Sequence, residues 1–198
     1  METRNNIALI VDSNYLKTNY PGYVESNIDD NSLESFIILA QDTQLQSAIG
    51  YTMYRKIMDT LISDPTGNSF SSQYTYIIQN YIMPEVALWA IYLAYPTLLY
   101  KPTNKAIVTK HSDESNPVGI RELEYLRSQI KSNAEFYDSR IVEYIKNYTN
   151  DFIEYYTTSG VNRIRPKSNL YFGGIYLKPS YGRPPGGCCI DRGYNLNW

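Results

Sequence analysis

The chain has 198 residues, 43% of them hydrophobic and 19% charged, with a formal net charge of −2. That is enough apolar material for one packed domain with an appendage, able to bury roughly 70% of its unfolded surface. The two cysteines stand side by side at 188 and 189, which excludes an ordinary disulfide framework and favours a reducing compartment.

The first stretch, METRNNIALIVDSNYLK, has a short apolar run and then turns polar, and it carries no secretory signal pattern. Residues 1–30 read as extended and irregular, punctuated by Pro21-Gly22. A helix follows in NSLESFIILAQDTQLQSAIG, with Asn31 as N-cap and Glu34 completing a capping box. Leu33, Phe36, Ile37, Ala40, Gln44 and Ala48 share its inner face, and Gly50 stops it. A second helix is expected over 52–62, with Met53, Ile57 and Leu61 inward, followed by a loop over 63–69.

The third helical region starts near Ser72 and runs to about Tyr100, kinked at Pro84. Its portion from Val86 to Leu99 is apolar nearly all round, which marks the most buried helix. Residues 82–100 are almost long enough to span a bilayer. They hold Glu85, two prolines and several tyrosines, so a core helix is the better reading and no membrane partner is expected. Residues 101–116 read as a short β-hairpin or loop insertion.

Asn116-Pro117 is expected to open the longest helix, with proline in its first turn. Ile120, Leu123, Arg127, Ile130, Ala134, Tyr137, Ile141, Tyr144 and Tyr148 form a heptad seam along it. Arg127 interrupts the seam, so that turn should meet solvent or a partner carboxylate. One or two more turns cover 151–156, and Gly160 ends the helical body. The fold class is therefore all-α, a bundle over 1–159 with one long C-terminal helix, followed by an extended basic aromatic arm over 160–198.

That arm holds seven of the eleven glycines and four of the ten prolines. NLYFGGIYL suggests a miniature hairpin, which is marginal by itself in water. The arm carries six basic groups (Arg163, Arg165, Lys167, Lys178, Arg183 and Arg192) and one acid, Asp191, for a net +5. The rest of the chain carries twelve basic and nineteen acidic groups, a net −7. The two parts are complementary, and an arm docked on a neighbour would link copies head to tail. The interface candidates are Arg163, Arg165, Lys167, Tyr171, Phe172, Tyr176, Lys178, Tyr181, Arg183, Tyr194 and Trp198. Tyrosine is abundant, at 21 residues, which suits interfaces but equally reflects biased codon usage.

Little in the sequence points to chemistry. His111 is the sole histidine and sits in a polar loop, where it reads as solvated. Adjacent Cys188 and Cys189 lack the spacing of common zinc sites and read as small buried hydrophobes. Asp29-Asp30-Asn31 lacks the glycine and distal glutamate of a calcium loop. Gly173-Gly174 and Gly186-Gly187 do not lead into helices, so phosphate cradling is unsupported. No catalytic residue, metal or cofactor is expected, and the chain does not read as an enzyme. A nucleic-acid-binding role for the arm is a rival reading, since its cations alternate with stacking-competent rings.

The order of segments resembles a known family. IDDNSLESFIILAQDTQLQSAIGYTMYRKIMDTLI is similar to the opening helical pair of small head-to-tail connector proteins of tailed bacteriophages. YIMPEVALWAIYLAYPTLLYKPTNKAIVTKHSDES resembles their central helix and polar hairpin, and RELEYLRSQIKSNAEFYDSRIVEYI their long final helix. The likeness is to the adaptor, or first-ring, proteins of Bacteroidetes phages, including the crAss-like group. It covers roughly residues 10–148, with Ala40-Gln41, Ile49-Gly50 and Asn104-Lys105 the most telling pairs. It implies a virion protein assembled in the bacterial host cytoplasm. It further implies a homo-oligomeric ring of about twelve copies beneath the portal protein, bound on its far side by neck or tail ring proteins. Genomic DNA would pass through the ring without specific contacts. A neck stopper or other tail-completion ring is the alternative placement.

Overall fold

Local capping chemistry sets the first elements. The structure, a computed structural model, describes residues 8–102, 107–109, 119–157, 164 and 166. Asp12 accepts the Tyr15 backbone N–H at 2.7 Å and starts helix α1, Ser13–Asn19, which buries Leu16 completely. The expectation of an extended segment through residue 30 is thus corrected by one short, capped helix. Lys17 fastens the following loop, donating to the Ile28 carbonyl at 2.6 Å and to Asp30 at 2.7 Å.

Helix α2, Asp30–Ala40, is capped by Asp29, which accepts the Ser32 N–H at 3.0 Å, and not by Asn31. Asp29 is extended, with φ −60° and ψ 127°, whereas Asn31 is already inside the helix. Leu33, Ile37 and Ala40 face the core as expected. Beyond them the face shifts. A turn of π-helix, π1, spans Gln41–Leu45 before the last turn, α3, Gln46–Ile49. This wider turn rotates Gln41 and Leu45 inward and leaves Gln44 only half-buried. Gln41 is fully buried and satisfied by the N-terminal backbone: it accepts from Ile10 N–H at 2.8 Å and donates to the Ala8 carbonyl at 3.1 Å.

Gly50 ends α3 and starts helix α4, Tyr51–Ser63, in one residue with φ 80° and ψ 161°. Met53, Tyr54, Ile57 and Met58 face inward, and Leu61 is half-buried. The loop after α4 is organised by Asp64, which accepts from the hydroxyls and backbone N–H groups of Thr66 and Ser69. Those bonds, led by the two hydroxyls, hold its carboxyl down at about 2.

Ser71 caps helix α5, Ser72–Ile77, which continues through a second π turn, π2, Ile78–Ile82, into helix α6, Met83–Leu99. Pro84 lacks an N–H to give the preceding turn. The helix continues past it, and the irregularity is taken up by π2 immediately before. Helix α6 is the central element, packed against both α2 and α7. Val86, Ala87, Ala90, Ile91 and Ala94 are at most 1% exposed, and the alanines allow close helix approach. Burial fades after Ala94, short of the expected limit at Leu99. Among the described residues no helix is long and apolar enough to cross a membrane.

Strands β1, Tyr100–Pro102, and β2, Ile107–Thr109, pair antiparallel with Tyr100 opposite Thr109. Helix α7, Ile120–Asn147, begins three residues after the expected proline start. Gly119 is its N-cap, and the Glu122 carboxylate accepts the Gly119 N–H at 3.2 Å. Tyr148 closes α7, a turn follows, and the one-turn helix α8 covers Ile153–Tyr156. The bundle is all-α apart from the two short strands. The chain divides between Lys167 and Ser168, and every described residue belongs to the first unit.

Candidate interaction surface

The seam of α7 shows where the surface comes from. Ile130, Ala134 and Ile141 are fully buried, as a heptad reading requires. Leu123, Arg127, Tyr137 and Tyr144 are only half-buried, Tyr148 is 45% exposed, and the side chain of Ile120 is outside the described set. Ile145, off the expected seam, takes the core position instead. The reason is helical pitch: a straight helix drifts about 20° per heptad from a 3.5-residue repeat. From Ile141 onward the inner face has moved on by one residue, and the tyrosines of the seam are turned toward the edge. Arg127 is half-buried. Its guanidinium lies 4.2 Å over the Tyr92 ring of α6.

Those displaced tyrosines join others from α5 and π2. Tyr76 stacks on Tyr144 with ring centroids 5.3 Å apart and planes at 20°. Tyr81 and Tyr148 approach Tyr144 at 5.7 Å and 4.7 Å. The rings border an open groove of about 420 Å³ lined by Ser72, Gln73, Tyr76, Tyr144 and Tyr148. Arg140 lies 5.7 Å over the Tyr81 ring and pairs with Glu143 at 3.0 Å.

Behind the groove a polar knot fixes α4, α5 and α8 together. Tyr74 packs on Phe152 at 4.8 Å, and its hydroxyl donates to Glu154 at 3.0 Å. Glu154 also accepts from Lys56 at 2.6 Å, while the Lys56 ammonium lies 4.5 Å over the Tyr74 ring. Burial alone would raise the Glu154 carboxyl, but bonds from Lys56, the backbone and Tyr74 outweigh it and hold it below its ordinary range. Burial, then the bond to Glu154, pushes the Tyr74 phenol up.

A group depressed in the folded state contributes stability above its unfolded value of about 4.3, and that contribution is lost as pH falls through the folded value. Replacing Glu154 by Gln is therefore expected to destabilise by about 1 kcal/mol at pH 7, a value discounted for partial exposure. The difference between the two proteins should shrink steadily below pH 4. Urea melts at pH 7 and pH 3 check this, and an equal difference at both would disprove the charged role.

A second open hollow, about 490 Å³, is lined by Tyr23, Glu25, Ile28, Asp29, Ser32 and Leu98. Asp30 beside it is held down chiefly by its hydrogen bond from Lys17. Among the described residues no three His, Cys, Asp or Glu side chains are placed to hold a metal ion. The interface candidates Arg163, Arg165, Lys167, Tyr171, Phe172, Tyr176, Lys178, Tyr181, Arg183, Tyr194 and Trp198 lie outside the described residues, as do His111, Cys188 and Cys189.

Two residues of the arm are described, and both meet the body. Ile164 accepts the Tyr51 N–H through its carbonyl at 3.1 Å, and the ring of Pro166 lies over Gly50. Sequence reading missed this anchor, although Gly50 next to a helix start was its one visible sign. Residues 45–165 match the sequence model of DUF6712, a family of unknown function. The match therefore starts at the end of π1 and stops at the anchor. No curated protein and no solved structure matches the chain.

Proposed function

We propose that this chain, which belongs to the DUF6712 family, is a structural subunit of the head-to-tail connector of a tailed bacteriophage. It forms an adaptor ring between the portal and the neck or tail proteins, with the genome passing through the centre. The observation that carries the reading is the division of charge in one chain, −7 before residue 160 and +5 after it. Identical subunits built this way attract one another head to tail, and such contacts close into rings. The resemblance of residues 10–148 to adaptor proteins supports the same placement. An acidic wall also suits a channel, because it repels phosphate and does not grip moving DNA. The exposed tyrosines around the groove add contact surface of the kind interfaces favour.

The anchor at Gly50 locates the cut that tests the proposal. Removing residues 168–198 leaves Ile164 and Pro166 in place and should leave helicity unchanged by circular dichroism. Native mass spectrometry of the full chain, alone and mixed with a portal protein, is expected to show a ring that the truncated chain cannot form. Rings of unchanged copy number after truncation would remove the arm from the assembly. DNA affinity that falls steeply with salt and needs residues 168–198 would favour the nucleic-acid-binding reading instead.

A further inference from the structure

We propose that the tyrosine groove between α5 and α7 is the docking site for residues 178–185, KPSYGRPP, of a second copy of this chain. The inference rests on the reading of the arm as a strap between subunits, and it names the surface on which the strap lies.

The groove has the chemistry of a polyproline receptor. Its walls are the exposed rings of Tyr76 and Tyr148, its floor is the stacked ring of Tyr144, and its rim is Ser72 and Gln73. Aromatic-lined grooves bind extended proline segments because pyrrolidine rings pack flat on aromatic faces. The backbone carbonyls of such a segment make no internal bonds and stay available to donors. Tyrosine hydroxyls supply donors here. So does the Gln73 amide group, whose oxygen already accepts from Ser72 at 2.7 Å.

The segment has the matching features. It places Pro179, Pro184 and Pro185 within seven residues. Each proline is preset near φ −65°, which lowers the ordering entropy paid on docking. Lys178 and Arg183 flank the prolines with positive charge. Around the groove Arg140 is engaged by Glu143, and Lys56 by Glu154. Asp151 stands exposed beside the groove, its backbone N–H bonded to the carbonyl of the lining residue Tyr148 at 3.0 Å. It is the acid positioned to receive Arg183.

Reach sets a limit. Pro179 lies thirteen positions beyond Pro166, which is held at Gly50. Fully extended, that stretch spans at most about 45 Å, which bounds how far from Gly50 the receiving groove can lie.

The test uses the full chain. A photo-crosslinking residue replaces Tyr181, and isotopically heavy and light chains are mixed before irradiation. Heavy-to-light crosslinks into residues 72–81 or 144–151 are expected. Crosslinks within single copies only, crosslinks elsewhere, or no heavy-to-light product would overturn the assignment. Tyr148→Ser, at a 45% exposed position, and Arg183→Glu should each weaken self-association at least ten-fold by sedimentation. Unchanged association in both variants counts equally against the groove. The outcomes also separate the two proposals. A closed ring crosslinked elsewhere keeps the ring and rejects the groove, whereas groove crosslinks in open or dimeric species keep the groove and reject the ring.

Discussion

Phe152→Ala is expected to lower stability by about 3–5 kcal/mol, the range for truncating a fully buried aromatic ring. Phe152 is 0% exposed although it lies beyond the long helix, in the turn before α8. Its ring contacts Tyr74 at 4.8 Å and Tyr144 at 5.9 Å, so it plugs the junction of α5, α7 and α8. The cavity left by alanine would remove the common support of the polar knot and of the groove. At roughly 2–4 °C per kcal/mol for a chain of this size, the melting temperature should fall by on the order of 10 °C. The next residue is the control. Ile153 is 63% exposed, and Ile153→Ala should stay within about 0.5 kcal/mol of wild type. Similar losses at 152 and 153 would show that the turn is not anchored by Phe152.

The contrast between these neighbours shows what the sequence could and could not convey. Long periodic segments were legible: Leu33, Ile37 and Ala40 on α2, and Ile130, Ala134 and Ile141 on α7, all face the core. The π turns were not, because a one-residue widening changes neither composition nor helix propensity. The signal for π1 lies in backbone groups of residues 8 and 10, more than thirty positions away, which Gln41 turns inward to satisfy. Helix α1 escaped because seven residues are too few for periodicity to register. The same one-residue drift explains the groove. Tyr144 and Tyr148 fit the heptad on paper, yet a straight α7 turns Ile145 into the core and leaves the tyrosines at the edge. The charge division was fully visible in the sequence, while the surface that could answer it required the packing of three helices.

Gly50→Ala should be the next most damaging change, for two separable reasons. With φ 80° and ψ 161°, Gly50 occupies a region that only glycine populates readily, and forcing alanine there costs about 1–3 kcal/mol. In addition, an added Cβ would lie 2.8 Å from Cδ and 3.0 Å from Cγ of Pro166, and 3.3 Å from its backbone nitrogen. A proline ring closed on its own backbone cannot swing aside as a long side chain would. Relief therefore requires moving the chain at 164–166, which would strain the bond from Tyr51 N–H to the Ile164 carbonyl. A double-mutant cycle with Pro166→Gly separates the terms. Backbone strain at Gly50 persists when Pro166 is replaced, whereas the steric part disappears. We expect Gly50→Ala to destabilise more in the wild-type background than in Pro166→Gly, by about 0.5–3 kcal/mol in chemical denaturation. Equal effects in both backgrounds would place Pro166 away from Gly50 in solution. The exit point of the arm would then be lost, and with it the starting position from which its reach to a neighbouring groove is reckoned.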